Sequence, residues 1–423
     1  MTYNRYIKYA IYLGILTIFL LFLPDLVMAQ NMSQLADENQ CINCHMEEEI
    51  LPDDFNKNDI HLQSGLSCSG CHGGDPTKDD MDDAMDPEAG YTGVPSKKDI
   101  PQFCGRCHSD INIMREYQPR IPVDQVYQYY TSIHGQKLKQ GDNNVADCTN
   151  CHTGHGILSA KDPRSTVYPL NIPATCNKCH GDADYMKNYK IPTNQFDEFA
   201  KSVHGKMLLE KHDTGSPACN DCHGNHGAMP PGITSISHVC GMCHVNNMQY
   251  FSTSIMGEVF QEQELHACEE CHGHHNVQKT FDGMVGVGEE STCMNCHDEG
   301  DPGYEAAGEI RKNLERFVAI YDTAEIQRRE VQQIGMNDVE INFLLQDAHQ
   351  HLIEARTLVH TFDPDRVGEK TEGGVQKAKA AIQLAKQEIS DYNIRRRGFG
   401  IATIFITLLV VALFFKIREI EKR

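Results

Sequence analysis

The sequence predicts a mainly α and irregular fold: a long segment of turns and short helices, then an antiparallel three-helix stalk, then one membrane-spanning helix. Three observations carry this expectation. All 18 cysteines fall in nine Cys-x-x-Cys-His groups between residues 41 and 297, joined by segments rich in Pro, Gly, Asn and Asp. Apolar residues then recur at intervals of three and four over three stretches between 310 and 392. Last, Gly398 to Phe415 is an uncharged apolar run of 18 residues, long enough for one span.

At the start of the chain, residues 1–29 combine basic Arg5 and Lys8, an apolar run from Ala10 to Leu23 and a small-residue exit at Val27-Met28-Ala29. This predicts a secretory signal cut after Ala29. An uncleaved anchor is the competing reading, disfavoured by the shortness of the run and by Pro24.

The nine groups are Cys41 and Cys44 with His45, Cys68 and Cys71 with His72, Cys104 and Cys107 with His108, Cys148 and Cys151 with His152, and Cys176 and Cys179 with His180. Cys219 and Cys222 with His223, Cys240 and Cys243 with His244, Cys268 and Cys271 with His272, and Cys293 and Cys296 with His297 complete the set. This is the attachment pattern of c-type haem, in which two thiols bond to the porphyrin vinyl groups and the adjacent imidazole ligates iron. One match would be weak, because zinc ribbons and thioredoxin-like sites share Cys-x-x-Cys. Nine matches in nine, each followed by His, leave those readings little room, and a disulfide framework has no reason to place His there. Nine covalently bound haems are expected. With about 30 residues per haem the segment buries little apolar side chain, so the macrocycles should supply most of its core.

An internal repeat runs through the segment. Each unit has an aromatic residue, two variable positions, Ser, Ile or Val, His and Gly. A first Cys-x-x-Cys-His follows, with another His three residues on, and then a second Cys-x-x-Cys-His. The second unit carries His134 and His155, the third His204 and His226, and the fourth His275, with Met256 where its siblings have His134 and His204. A divergent first unit has His61, and Asp75 stands at the place of the trailing His. One single site plus four two-haem units accounts for all nine.

Of 22 histidines, 13 do not follow a cysteine. Recurrence in the repeat proposes His61, His134, His155, His204, His226 and His275 as second iron ligands. Met256 is proposed as a seventh, on one fourth-unit haem, where a His/Met pair raises the potential relative to two histidines. The competing reading has Met256 packing against a haem while His266 or His274 takes the iron. His238 and His266 precede attachment sites by two residues and are candidates for a neighbouring haem; His212 and His274 read as solvent or packing residues. The Asp75 departure is expected to leave one haem of the first unit without its ligand.

Beyond His297, Ile310, Leu314, Phe317, Tyr321 and Ala324 share one helix face. So do Ile341, Leu345, Ala348, Leu352, Ala355 and Val359, and Val375, Ala378, Ile382, Ala385, Ile389 and Tyr392. Gly335 and the stretch 362–374 are expected to separate three helices packed as an antiparallel bundle. The third should run into the span with about 25 residues outside it, roughly 37 Å. His349 and His360 lie 11 apart and so on one face. His360, at the end farthest from the membrane, reads as a ligand reaching back to the haem domain. A helix-end residue on the C-terminal dipole is the alternative. The expected organisation is thus signal peptide 1–29, nonahaem domain 30–300, helical stalk 301–397, transmembrane helix 398–415 and cytoplasmic tail 416–423.

The formal net charge of -21 argues against nucleic acid and for redox partners with a basic docking face. The acidic stretch 75–90 reads as a solvated loop ahead of a docking patch or calcium loop. Arg395, Arg396 and Arg397 before the apolar run and Lys416, Arg418, Lys422 and Arg423 after it make flank charge indecisive about orientation. The signal segment therefore sets it, with the haem domain on the periplasmic or extracellular side of the cytoplasmic membrane.

The paired attachment sites and the Ser-Val-His-Gly element make residues 41–300 resemble the doubled-CXXCH multihaem cytochromes of bacterial and archaeal respiratory chains. The stalk ending LVHTFDP and the terminal FFKIREIEKR look like those of membrane-anchored nonahaem members that work with cytochrome b. The resemblance implies electrons taken from quinol through a membrane cytochrome b or another quinol-oxidising subunit and passed to soluble or surface acceptors. The competing expectation is an oxidoreductase with one five-coordinate catalytic haem acting on a nitrogen or sulfur oxyanion or on hydroxylamine. The abundance of spare histidines and the lack of any Cys-x-x-Cys-Lys group argue against it.

Overall fold

The computed structural model describes residues 39–51, 55, 58–231 and 236–421; the expected signal segment and the last two residues lie outside these. Every regular element among the described residues is helical. The chain forms two compact units. One holds the described residues up to Pro231 together with His275–Val277, and the other those from 236 to His274 and from Gln278 onward.

In the first unit helices are short because the attachment sites themselves set their lengths. The first site of each repeat is a single turn, Cys68–His72, Cys148–His152 or Cys219–His223, stopped at once by Gly73, Thr153 or Gly224 with φ of 73°, 68° and 86°. Positive φ combined with an extended ψ turns the chain out of the helix there. The second sites close nine-residue helices, Ile100–His108 and Ile172–His180, opened by the buried Pro101 and Pro173. Proline is tolerated at that end, where its missing N–H has no partner to lose. Apolar packing is sparse: one small cluster joins Tyr129, Leu138 and Val145.

The second unit is built differently. Helix α1 (Pro302–Gln333) starts where Asp301 accepts a hydrogen bond from Tyr304 N at 2.8 Å. Helix α2 (Val339–Leu358) and helix α3 (Pro364–Glu421) follow after short connections, which makes neighbours antiparallel. Their core joins Ile310, Leu314 and Phe317 to Ile341, Leu345 and Leu352 and to Val367, Val375 and Ala378, all essentially buried.

One expected break is much shorter than the sequence suggests. Residues 362–374 read as a linker, yet α3 begins at Pro364. Asp363 caps it, accepting from Asp365 N at 2.9 Å and Arg366 N at 3.3 Å. Gly373 and Gly374 are not breakers: a Cβ at Gly374 would overlap the Phe317 ring, and one at Gly373 would crowd His351. Small residues here let α3 approach both partners. About 34 residues of α3 therefore precede residue 398, roughly 51 Å rather than 37 Å. The apolar end of α3 is long enough to cross a membrane, and none of it is buried within the chain.

Candidate metal centres

The recurring aromatic-x-x-Ser-x-His-Gly element has one local structure wherever it occurs. Ser132 accepts a hydrogen bond from Gly135 N at 3.0 Å and donates to Tyr129 O at 2.6 Å. Ser202 repeats this with Gly205 N and Phe199 O at 2.9 and 2.6 Å, and Ser254 with Gly257 N and Phe251 O at 3.1 and 2.7 Å. The serine is an N-cap. The glycine is obligatory for space, since a Cβ would overlap the carbonyl oxygen of Tyr129, Phe199 or Phe251. The residue between them, His134, His204 or Met256, is thereby held in one orientation on the first turn. In the divergent first unit Asp59 does the serine's work, capping Ile60–Gln63 through His61 N at 2.8 Å.

These histidines meet partners. In the first unit His61 lies against His108 with ring centroids 5.9 Å apart, and His134 against His180 at 6.1 Å. Each thus faces the second attachment site of its own repeat. The trailing histidines follow another rule: His155 faces His72 at 6.2 Å, His226 faces His152 at 6.1 Å, and His275 faces His223 at 5.9 Å. Each trailing histidine faces the first site of the preceding repeat. In the second unit His360 faces His272 at 6.1 Å, so the turn after α2 stands where a further repeat would place its trailing histidine.

A backbone clamp, invisible in the sequence, accompanies the trailing histidines. Ile60 N donates to Ile157 O at 2.7 Å, Ile133 N to Ala228 O at 3.2 Å and Val203 N to Val277 O at 2.7 Å. In each case the donor precedes a His of the Ser-x-His-Gly type and the acceptor lies two residues past a trailing His. Ile255 and Phe362, the corresponding positions around Met256 and His360, line one cavity.

The ring separations suit a six-coordinate iron. A bond from a first-row metal to an imidazole nitrogen is about 2 Å, so two in line plus half of each ring separate the centroids by on the order of 6 Å. Tautomers agree. Nδ1 is the nitrogen engaged by the protein at His72 (Gly93 O, 2.9 Å), His223 (Met229 O, 3.2 Å), His360 (Thr357 O, 3.0 Å), His61 (Asp59, 3.2 Å) and His297 (Asp301, 3.3 Å). Nε2 is left for iron, the usual division of labour in a ligating imidazole. Burial lowers the pKa of His108, His134, His180, His226, His272 and His360 and brings His152 down to about 4. Burial thus favours the neutral form, the one a ligand needs. Burial opposes ionisation of Asp59 too, but hydrogen bonds from the His61 ring, His61 N and Ile157 N outweigh it and keep the carboxyl below its ordinary range.

Successive attachment sites are neighbours. Cys104 lies beside Cys148 and Cys176 beside Cys219 in the first unit, as Cys240 does beside Cys268 in the second. Between these contacts, Cys41 lies beside Cys68, Cys71 beside Cys107, Cys151 beside Cys176 and Cys271 beside Cys293. The first six sites are thus continuous within one unit and the last three within the other.

Two expectations need correction. In the first repeat His72 and His108 both have an imidazole opposite, and the attachment site next to Asp75 is the single one at Cys41. Nor does His349 share the surroundings of His360. The α-helix stops at Leu358 and residues Val359–Thr361 tighten into a 3₁₀ turn, so His349 is exposed beside Tyr321, 6.0 Å from its ring. Among the histidines left over, His266 and His274 lie against Glu269, His238 is exposed, and His212 sits in a turn with φ of 54°.

Helices without strands among the described residues, paired imidazoles and doubled thiols are the features of a multihaem c-type cytochrome. Residues 60–181 match the family of cytochrome c3, and residues 25–73 match that of cytochrome c554 and c-prime. No curated protein and no solved structure matches the chain. The protein carries covalently bound haem iron and transfers electrons, with an apolar C-terminal helix suited to anchoring it in a membrane.

Proposed function

We propose that this chain is a membrane-anchored nonahaem cytochrome that moves electrons along its haems between a quinol-oxidising membrane cytochrome b and soluble or surface acceptors. The six imidazole pairs at 5.9 to 6.2 Å carry the reading. An iron held between two imidazoles takes up and releases an electron without a position for substrate. In this reading His61, His134, His155, His226, His275 and His360 are second ligands to the haems they face, and His204 is one by its place in the repeat. Met256 stands to Cys293, Cys296 and His297 as His134 stands to Cys176, Cys179 and His180, which makes that haem the high-potential one. The membrane helix holds the haem-bearing segment on the periplasmic or extracellular side, and the acidic chain selects partners with a basic face.

The test is reduction of the protein in its native membranes by added quinol, followed in the haem bands. Reduction that a cytochrome b inhibitor blocks is the expected result. Reduction only by soluble donors, with quinol inert, would refute the proposed donor. A haemochrome assay and peptide masses on the same preparation count the attached haems, for which nine are expected.

A further inference from the structure

The rule for trailing histidines has a consequence at the start of the array. His155, His226 and His275 each face the first attachment site of the preceding repeat. In the first repeat the trailing position holds Asp75, and the site that precedes this repeat is Cys41, Cys44 and His45. Backbone geometry ties the two together: Gln40 N, at the start of the helix Gln40–Glu47 that carries the site, donates to Pro76 O at 2.9 Å. Asp75 also lies near Cys41, the first cysteine of that site. No histidine precedes His45 in the sequence, and the next after it, His61, is taken by His108. The Asp75 carboxylate itself is occupied in a turn, accepting from Thr77 N at 3.0 Å and Thr77 Oγ1 at 2.7 Å.

We propose that the haem at Cys41, Cys44 and His45 keeps its second axial position open, and that this end of the array binds a small neutral ligand from solution. The inference rests on the nonahaem reading above. A hard carboxylate oxygen is a poor substitute for imidazole on haem iron, and its negative charge beside the position disfavours anions such as nitrite or azide. Uncharged molecules of the size of carbon monoxide, nitric oxide, hydroxylamine or imidazole are the class that fits. Among the described residues, the other potential protein ligands beside Asp75 are Met81 and Met85, at the two ends of the helical turn tied back to it through Asp75 N to Ala84 O at 3.0 Å. Ligation by either would close the position.

The experiment uses the full-length protein with its haems, and imidazole and carbon monoxide as probes. The ferric protein should show one high-spin haem by electron paramagnetic resonance, lost on titration with imidazole, and the ferrous protein should bind carbon monoxide there. Asp75→His should convert that haem to low spin and abolish both responses. Asp75→Asn, which keeps the turn and supplies no imidazole, should retain them. A wholly low-spin protein, a thioether band that Met85→Leu removes, or a high-spin signal unchanged in Asp75→His would each overturn the inference. If peptide masses show Cys41 and Cys44 unmodified, the nonahaem reading fails and this inference with it. Full attachment without a high-spin haem overturns the inference alone.

Discussion

Replacing Asp59 by Asn should raise the midpoint potential of one haem, the one between His61 and His108. Asp59 is 5% exposed, and its Oδ1 accepts from His61 Nδ1 at 3.2 Å. Adding the width of the ring and a metal bond of about 2 Å puts the carboxylate about 7 Å from the midpoint between the two imidazoles. A unit charge at that range interacts with one electron by about 2.4 kcal/mol at an effective dielectric of 20. Since about 1.4 kcal/mol is 59 mV for a one-electron couple, this corresponds to roughly 100 mV. Solvent reaches the His61 side chain, 30% exposed, and screening brings the expected rise to about 50–100 mV. Spectroelectrochemical titration should therefore show one wave displaced upward and the rest in place. The substitution also costs a bond, because Oδ2 accepts from Ile157 N at 2.7 Å and an amide nitrogen cannot. Leaving that N–H unpaired costs about 1–3 kcal/mol, so a thermal melt must accompany the titration. A folded variant whose waves all stay within 20 mV, on the order of a third of a decade, would remove His61 from the ligand set.

Four further outcomes are expected. Met256→His should lower one midpoint potential and abolish a thioether-to-iron band, at a stability cost below about 1.5 kcal/mol because its siblings carry His in the same frame; an unchanged spectrum would return Met256 to packing. His360→Ala should turn one haem high-spin while the helical content of the bundle persists, and circular dichroism with electron paramagnetic resonance separates the two effects. Gly135→Ala should destabilise by about 1–3 kcal/mol, since its Cβ would overlap backbone rather than a movable side chain; a melting temperature equal to wild type would contradict the packing. Chain made without haem attachment should lose residues 58–231 to protease before 302–392, because the former has a cluster of three buried apolar residues and the latter an extended apolar core.

What could be read from the sequence follows the range over which each constraint acts. Haem attachment needs two thiols and an imidazole within five residues, so its chemistry is written locally. The bundle is legible for a similar reason, since Ile310, Leu314 and Phe317 or Ile341, Leu345 and Ala348 repeat within a few turns. The second ligands are written partly in the repeat, through the Ser and Gly that hold the residue between them. Which site each residue faces is a tertiary matter. His155 follows Cys151 by four residues but serves His72. Proximity along the chain therefore does not show which attachment site Asp75 lies beside. The start of α3 was hidden by a different ambiguity: glycine pairs signal breaks or close helix contacts, and only the Phe317 ring over Gly374 decides between them.

The staggered pairing has a structural price that the ends of the array must meet. Because each trailing histidine completes the repeat before it, no repeat supplies every partner for its own two sites, and an array of such units would always finish with one first-site histidine unmatched. Repeat proteins generally need terminal caps for this reason. Here His272 is that last first-site histidine, and the imidazole facing it is His360, at the turn between α2 and α3. The same corner is fastened by Arg356, whose Nε and Nη2 donate to the two carboxylate oxygens of Asp282 at 2.8 Å each, and by Phe251 packed edge-on to Phe362. The bundle is thus both stalk and cap. Truncation before α1, which by sequence alone would look like removal of an anchor, should also strip the haem at His272 of its second imidazole. A soluble fragment ending near residue 300 is then expected to differ from the intact chain in spin state as well as in location, whereas one ending at residue 397 should keep the spectrum of the whole.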